Sequence, residues 1–128
     1  RSIRESIWDR YNEAFEDLSI FTPFDIPIED RHAYHLYTIQ LGSPRFKASR
    51  DHILNALTKE GIGVGVHYPA IHTLSWYKDN LKLNPKDYTA ASFLSERTIS
   101  LPLTASMNNQ DVEDVIDATR RVLKYYQL

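Results

Sequence analysis

The chain has 128 residues, 42% of them hydrophobic and 25% charged, with a formal net charge of -2, the make-up of one soluble globular domain rather than a disordered or strongly basic protein. It contains no cysteine, which excludes a disulfide framework and any thiolate nucleophile or metal ligand and leaves the cytoplasm as the expected compartment. No basic face is offered to nucleic acid, and no apolar run is long enough for a membrane span or a signal peptide.

The first residues, Arg1-Ser2, lack an initiator Met, so the chain is expected to be processed or to be a piece of a longer one. Ile3, Ile7, Tyr11, Ala14, Phe15 and Leu18 recur on one helical face and predict a helix from Ser2 to Leu18. Its opposite face is charged and reads as a solvated surface. Trp8 beside Ile7, and Phe21 and Phe24 after the helix, widen the apolar stripe beyond what one small layer needs, so a further domain or a second subunit is expected against it. Pro23 and Pro27 make the following connection stiff and extended.

His32 to Leu41 is rich in aromatic and β-branched residues, as a strand is. Alternation sets Ala33, His35, Tyr37, Ile39 and Leu41 on one face and Tyr34, Leu36, Thr38 and Gln40 on the other. Both faces are substantially apolar, which suits a strand covered on both sides. Gly42-Ser43-Pro44 ends it, and Ser49 is placed to cap a helix that turns Ile53, Leu54 and Leu57 inward until Gly61.

The stretch Gly61 to Tyr77 packs the most unusual requirements into the fewest residues. Gly61 ends the helix, Val64 to Val66 is long enough only for a short strand, and Pro69 stops that strand. His67, Tyr68 and His72 thus leave a strand end on a loop. Polar rings in that position suit a binding or catalytic surface, and they suit equally the capping of a small core.

Thr73 to Leu81 predicts a short helix bearing Leu74, Tyr77 and Leu81, and Asp87 opens another with Ala91 and Leu94 inward up to Arg97. Thr98 to Leu101 reads as a third strand stopped by Pro102. Asn108 or Asn109 caps a last helix whose Val112, Val115, Ile116, Thr119, Val122 and Leu123 keep a 3.6-residue period. The order is α-β-α-β-α-α-β-α, in which the strand ending at Leu41, the helix after Ser49 and the strand at Val64 to Val66 make a β-α-β unit in outline, open to parallel or more distant pairing. The expected fold is α/β, a two-layer single domain over 1–128 with about three strands and helices packed on them.

A zinc site built from the histidines is disfavoured, because His32 and His35 point to opposite faces of their strand. There is no G-x-S-x-G elbow, G-x-G-x-x-G or P-loop, and G-I-G-V-G precedes a strand rather than opening a helix. On the residues alone the chain supports a binding surface.

Four stretches in order, HAYHLYTIQL, LTKEGIGVGVHYPAIHTLSWY, FLSERTISLPL and MNNQDVEDVIDATRRVL, resemble the C-terminal small domain of nucleotide-sugar aminotransferases of the DegT/DnrJ/StrS family, within the fold-type I pyridoxal-phosphate superfamily. The opening R-x-x-I-W-x-x-Y helix resembles the segment leading from the large domain into the small one, so the likeness covers essentially the whole chain. The resemblance implies transfer of an amino group from an amino acid, glutamate by preference, to a keto-sugar linked to a nucleoside diphosphate. It places the Schiff-base lysine, and hence pyridoxal phosphate, on an N-terminal domain of a complete, dimeric enzyme. Lys47, Lys59, Lys78, Lys82, Lys86 and Lys124 lie outside the family's cofactor motif, so the chain by itself is expected to bind no cofactor and to be inactive.

The segment from His67 to His72 resembles the family's H-Y-x-P-x-H loop near the sugar end of the substrate, which makes His67, Tyr68 and His72 the expected substrate contacts, His72 foremost. Tyr68 is also readable as a packing residue. Arg97, in the matching Ser95-Glu96-Arg97, is expected either to meet a carboxylate or to tie helix to strand through Glu96. His35 and Tyr37 match the family's strand pattern and are expected in the core. The alternative to a part of an enzyme is a free-standing small-molecule-binding or regulatory module.

Overall fold

The computed structural model describes residues 1–42 and 45–128; Ser43 and Pro44, in the turn expected to end the strand at Leu41, lie outside the described residues. Among the described residues there are five α-helices and a three-stranded sheet. Helix α1 spans Ser2–Phe15, strands β1 and β2 span Ile20–Phe21 and Tyr37–Leu41, and α2 spans Arg50–Lys59. Then follow α3 (Ser75–Leu81), α4 (Thr89–Ser95), β3 (Thr98–Leu101) and α5 (Asn109–Tyr126).

The fold is the expected two-layer α/β arrangement, but the sheet has different members. It runs β1-β2-β3 and is antiparallel throughout, with Ile20 opposite Leu41 and Ile39 opposite Ile99. Residues 64–66 do not make a strand; Gly65 contributes a single bridge to Ser100 at the free edge of β3. The third member of the sheet is instead Ile20–Phe21, which pairs with β2 at the opposite edge and which the sequence reading places in the connection after the first helix. Helix α1 stops at Phe15 because the chain turns at Leu18 to bring Ile20 beside Leu41. A β-α-β outline read from succession does not report strand direction, and here the direction is antiparallel.

The strand expected from His32 begins only at Tyr37. Tyr34 has φ of 48°, a left-handed conformation that breaks an extended run and costs an L-residue roughly 1 kcal/mol or more. What offsets this is packing: the Tyr34 ring meets Trp8 edge-on at 5.4 Å, and its hydroxyl donates to Glu5 at 2.8 Å. The turn resets the alternation, so Tyr34 and Tyr37 are both buried while His35, expected inside, is exposed.

The core is an aromatic cluster of Trp8, Tyr11, Phe15, Tyr34 and Tyr37, continued by Ile39, Leu41, Ile99 and Leu101 of the sheet and by the inner faces of α2 and α5. Tyr37 touches Trp8, Tyr11 and Phe15 at ring separations of 4.9, 5.0 and 6.3 Å. Its hydroxyl donates to Asn12, and that of Tyr11 donates to the Pro102 carbonyl, each at 2.8 Å. Burial pushes both phenols well above their ordinary pKa. The wide stripe of α1 is thus partly used at home, since Trp8 is buried, whereas Ile3, expected inside, is exposed with Phe21 and Phe24.

Helix α5 carries the inner face expected of it, and Asn108 is its cap, accepting from the Asp111 amide while the Asp111 side chain accepts from the Asn108 amide. Arg120 of α5 forks onto Asp17 at 2.6 and 2.8 Å, and Lys124 approaches the same carboxylate at 3.4 Å. The Arg120 hydrogen bonds, ahead of its charge and of Lys124, hold Asp17 down at about 2. A depressed carboxylate contributes stability in full above its unfolded pKa, and the contribution fades as pH falls through the folded one. Asp17→Asn is therefore expected to lower the urea midpoint at about pH 6, by an amount that shrinks as pH falls toward the folded pKa and vanishes only below it. A loss that stays the same as pH falls would show that this ion pair is not what the substitution removes.

Candidate functional site

Helix α2 ends on Gly61, whose φ of 84° suits glycine alone, and Ile62 buries itself just beyond as an anchor. Gly65 then exchanges two backbone hydrogen bonds with Ser100, of 3.1 and 2.8 Å. Strand alternation explains what lies beneath. Ile99 and Leu101 of β3 face the core, so Thr98 and Ser100 face the other side of the sheet, yet both are buried. Residues 64–97 cover them: Thr98 donates to the Leu94 carbonyl, and Ser100 Oγ meets His67 Nδ1 at 2.9 Å.

From this fixed point the expected loop crosses the back of the sheet. The peptide between His67 and Tyr68 is cis. The amide of Ala70 donates to Ser95 Oγ at 2.8 Å, Thr73 Oγ1 donates to the Ala70 carbonyl at 2.6 Å, and His72 Nε2 meets Ser92 Oγ at 2.9 Å. The His72 ring also stacks on Tyr88, with centroids 5.0 Å apart and planes 16° from parallel.

The structure brings His67, Tyr68 and His72 into one loop but gives them different surroundings. Within this chain Tyr68 is 72% exposed, whereas His72 is 3% exposed with its Nε2 engaged. His67 is half-buried and commits Nδ1 to Ser100; no described residue takes a hydrogen bond at its Nε2. In the tautomer in which Ser100 donates to Nδ1, Nε2 carries the proton and presents a donor, and in the other tautomer Nε2 presents an acceptor.

Arg97 stands apart from this loop. Its guanidinium lies over the Phe93 ring at 3.9 Å and donates to the Phe93 carbonyl, while Glu96 is 3.9 Å away and its Nε is buried without a partner. It lines a separate cleft of about 370 Å³ with Arg50, Asp51 and Ser49, which none of the loop residues lines.

Gly65 is held to its residue type by the histidine. A Cβ there would sit 3.1 Å from His67 Cε1 and 3.7 Å from Nδ1. Gly65→Ala is expected to push the ring off Ser100 and cost about 1 kcal/mol, the worth of that hydrogen bond. The same bond is lost in Ser100→Ala, so the double variant is expected to cost less than the sum of the two. Strict additivity in urea titrations would contradict this.

Reading the sequence missed the three hydroxyls that hold the loop. Ser100 was legible, since alternation in Thr98 to Leu101 places it on the back face. Ser95 stood in the Ser-Glu-Arg match without a role, and Ser92 carried no signal. Ala91 and Leu94, expected to face inward, are exposed, as are Leu74, Tyr77 and Leu81 of the expected short helix and Ile71, Trp76 and Phe93. No residue of α3 or α4 is buried.

The model of the DegT/DnrJ/EryC1/StrS aminotransferase family matches residues 1–120. The chain belongs to this family. It is 37% identical over 123 residues to the spore coat polysaccharide biosynthesis protein SpsC of Bacillus subtilis, covering 94% of the chain and 31% of that relative. Among solved structures it resembles Helicobacter pylori PseC, an aminotransferase of pseudoaminic acid biosynthesis, at 27% identity and a TM-score of 0.85, covering 98% of the chain and 33% of PseC. It also resembles the PMP-form of the putative sugar aminotransferase Spr1654 of Streptococcus pneumoniae, at 27% identity and a TM-score of 0.87, covering 97% and 31%. The chain thus spans about a third of the length of these family members. No helix among the described residues is long and apolar enough to cross a membrane.

Proposed function

We propose that this chain is the substrate-side domain of a pyridoxal-phosphate-dependent aminotransferase that moves an amino group from an amino acid, glutamate by preference, onto a keto-sugar carried by a nucleoside diphosphate. The observation that carries the reading is the loop itself: Tyr68 is 72% exposed although the backbone and rings on either side of it are tied to Ser100, Ser95 and Ser92. A polar ring held rigidly in solvent is of little use to a core and suits recognition of a polyhydroxylated, charged ligand. His67 Nε2 and the Tyr68 hydroxyl are the proposed contacts to sugar hydroxyls or diphosphate, and His72 is a residue that places them.

The residues present do not fit the cofactor. All six lysines are exposed, and an amine that condenses with a carbonyl needs a desolvated or charge-flanked setting to be nucleophilic at neutral pH. The cofactor, which supplies the amino-group carrier when bound, is assigned to the remainder of the complete polypeptide, as is the partner subunit of the proposed dimer. The exposed apolar surface of α3 and α4, with Trp76 62% exposed, is of the kind that packs against such a remainder.

The test is to purify the complete gene product with pyridoxal phosphate, dialyse it, and follow absorbance near the visible edge before and after adding glutamate. Retained absorbance that changes with glutamate, with release of 2-oxoglutarate, supports the reading. A colourless protein without glutamate turnover overturns it and leaves a binding module.

A further inference from the structure

We infer that Ser92 is a positioning residue for the sugar-acceptor loop, acting through His72; the inference rests on the aminotransferase reading. Of residues 68–74, only Ala70 and His72 are buried. Ala70 is a small anchor, so the far end of the loop is held by polar contacts: Ser95 Oγ on the Ala70 amide, and Ser92 Oγ on His72 Nε2 with Tyr88 against the imidazole face. Ser92 and Ser95 lie three residues apart on α4 and so share one side of that helix.

Helix α4 contributes no buried residue, so removing one hydroxyl from it leaves the aromatic core untouched. The effect falls on the imidazole. Without Ser92 Oγ, a ring that is 3% exposed holds a polar nitrogen without its partner, and it regains hydrogen bonding by turning toward water. That movement carries the backbone between Ala70 and Leu74 outward and takes Tyr68 from its place. An acceptor sugar bound by His67 and Tyr68 loses affinity, whereas the loop is assigned no contact with the donor acid. A residue that merely stabilised the fold would weaken both steps together.

The experiment uses the complete polypeptide as wild type, Ser92→Ala and Ser92→Thr, the last of which keeps the hydroxyl. Three quantities are read: amide hydrogen exchange over residues 70–74, KM for a nucleotide-linked keto-sugar, and the rate of the glutamate-driven absorbance change. Ser92→Ala is expected to speed exchange in the loop with α5 unchanged and to raise the acceptor KM about 5- to 20-fold, the scale of one buried hydrogen bond. The glutamate step should stay near wild type, and Ser92→Thr should restore both loop exchange and KM. Unchanged loop exchange overturns the inference, as does an equal fall in both steps or a failure of Ser92→Thr to restore them. If the wild type shows no cofactor and no transfer, the aminotransferase reading has failed by itself, and loop exchange alone then decides whether Ser92 places the loop.

Discussion

Replacing Tyr37 by alanine is expected to cost about 3–5 kcal/mol, as truncation of a buried aromatic typically does. That is a large part of the roughly 5–15 kcal/mol that holds a domain together. Tyr37 is fully buried at the start of β2, touches the three other rings that α1 sends inward, and ties the sheet to that helix through Asn12. The truncation therefore opens a cavity at the joint between the two layers and orphans the Asn12 carbonyl oxygen. Tyr37→Phe keeps the ring and loses only the hydrogen bond, for about 1 kcal/mol. Urea midpoints of the two variants separate the terms. A loss below about 1 kcal/mol for the alanine would mean that the aromatic cluster is not the core of the fold.

The second large effect is on activity. His67→Ala in the complete polypeptide is expected to lower kcat/KM for the nucleotide-linked keto-sugar about 10- to 100-fold, the worth of a hydrogen bond to a charged group. Its only described side-chain bond is to Ser100, so the loss of stability should be no more than about 1–2 kcal/mol. Ser100→Ala, which frees the ring without removing it, should give a smaller loss of the same kind. Steady-state rates with the amino donor saturating provide the check. Unchanged kcat/KM for the acceptor would remove His67 from the site.

The first and last helices could be read from the sequence because each buries one continuous stripe, and a 3.6-residue period survives whatever it packs against. The same logic failed for α3 and α4. Leu74, Tyr77 and Leu81 have helical spacing, but no layer of this chain lies over them, so periodicity reported an apolar face without saying what covers it. Strand β2 was misjudged at its start because Tyr34 takes a left-handed turn to reach Trp8, a tertiary contact that local propensity cannot foresee. Gly65 was expected within a strand and makes a single rung; the requirement it meets is the room taken by the His67 ring. At the site, the order of His67, Tyr68 and His72 was legible while their roles were not. Whether an imidazole faces solvent or a serine depends on α4, twenty residues further along the chain, and nothing in the spacing of the histidines encodes that.

The most direct test of the account is a crystal structure of the complete polypeptide with a nucleotide-linked sugar bound. The expected result has a sugar hydroxyl or a diphosphate oxygen within hydrogen-bonding distance of His67 Nε2 or the Tyr68 hydroxyl, with His72 still on Ser92. A ligand seated with no atom near either ring would contradict the central claim, whatever chemistry the complete polypeptide performs.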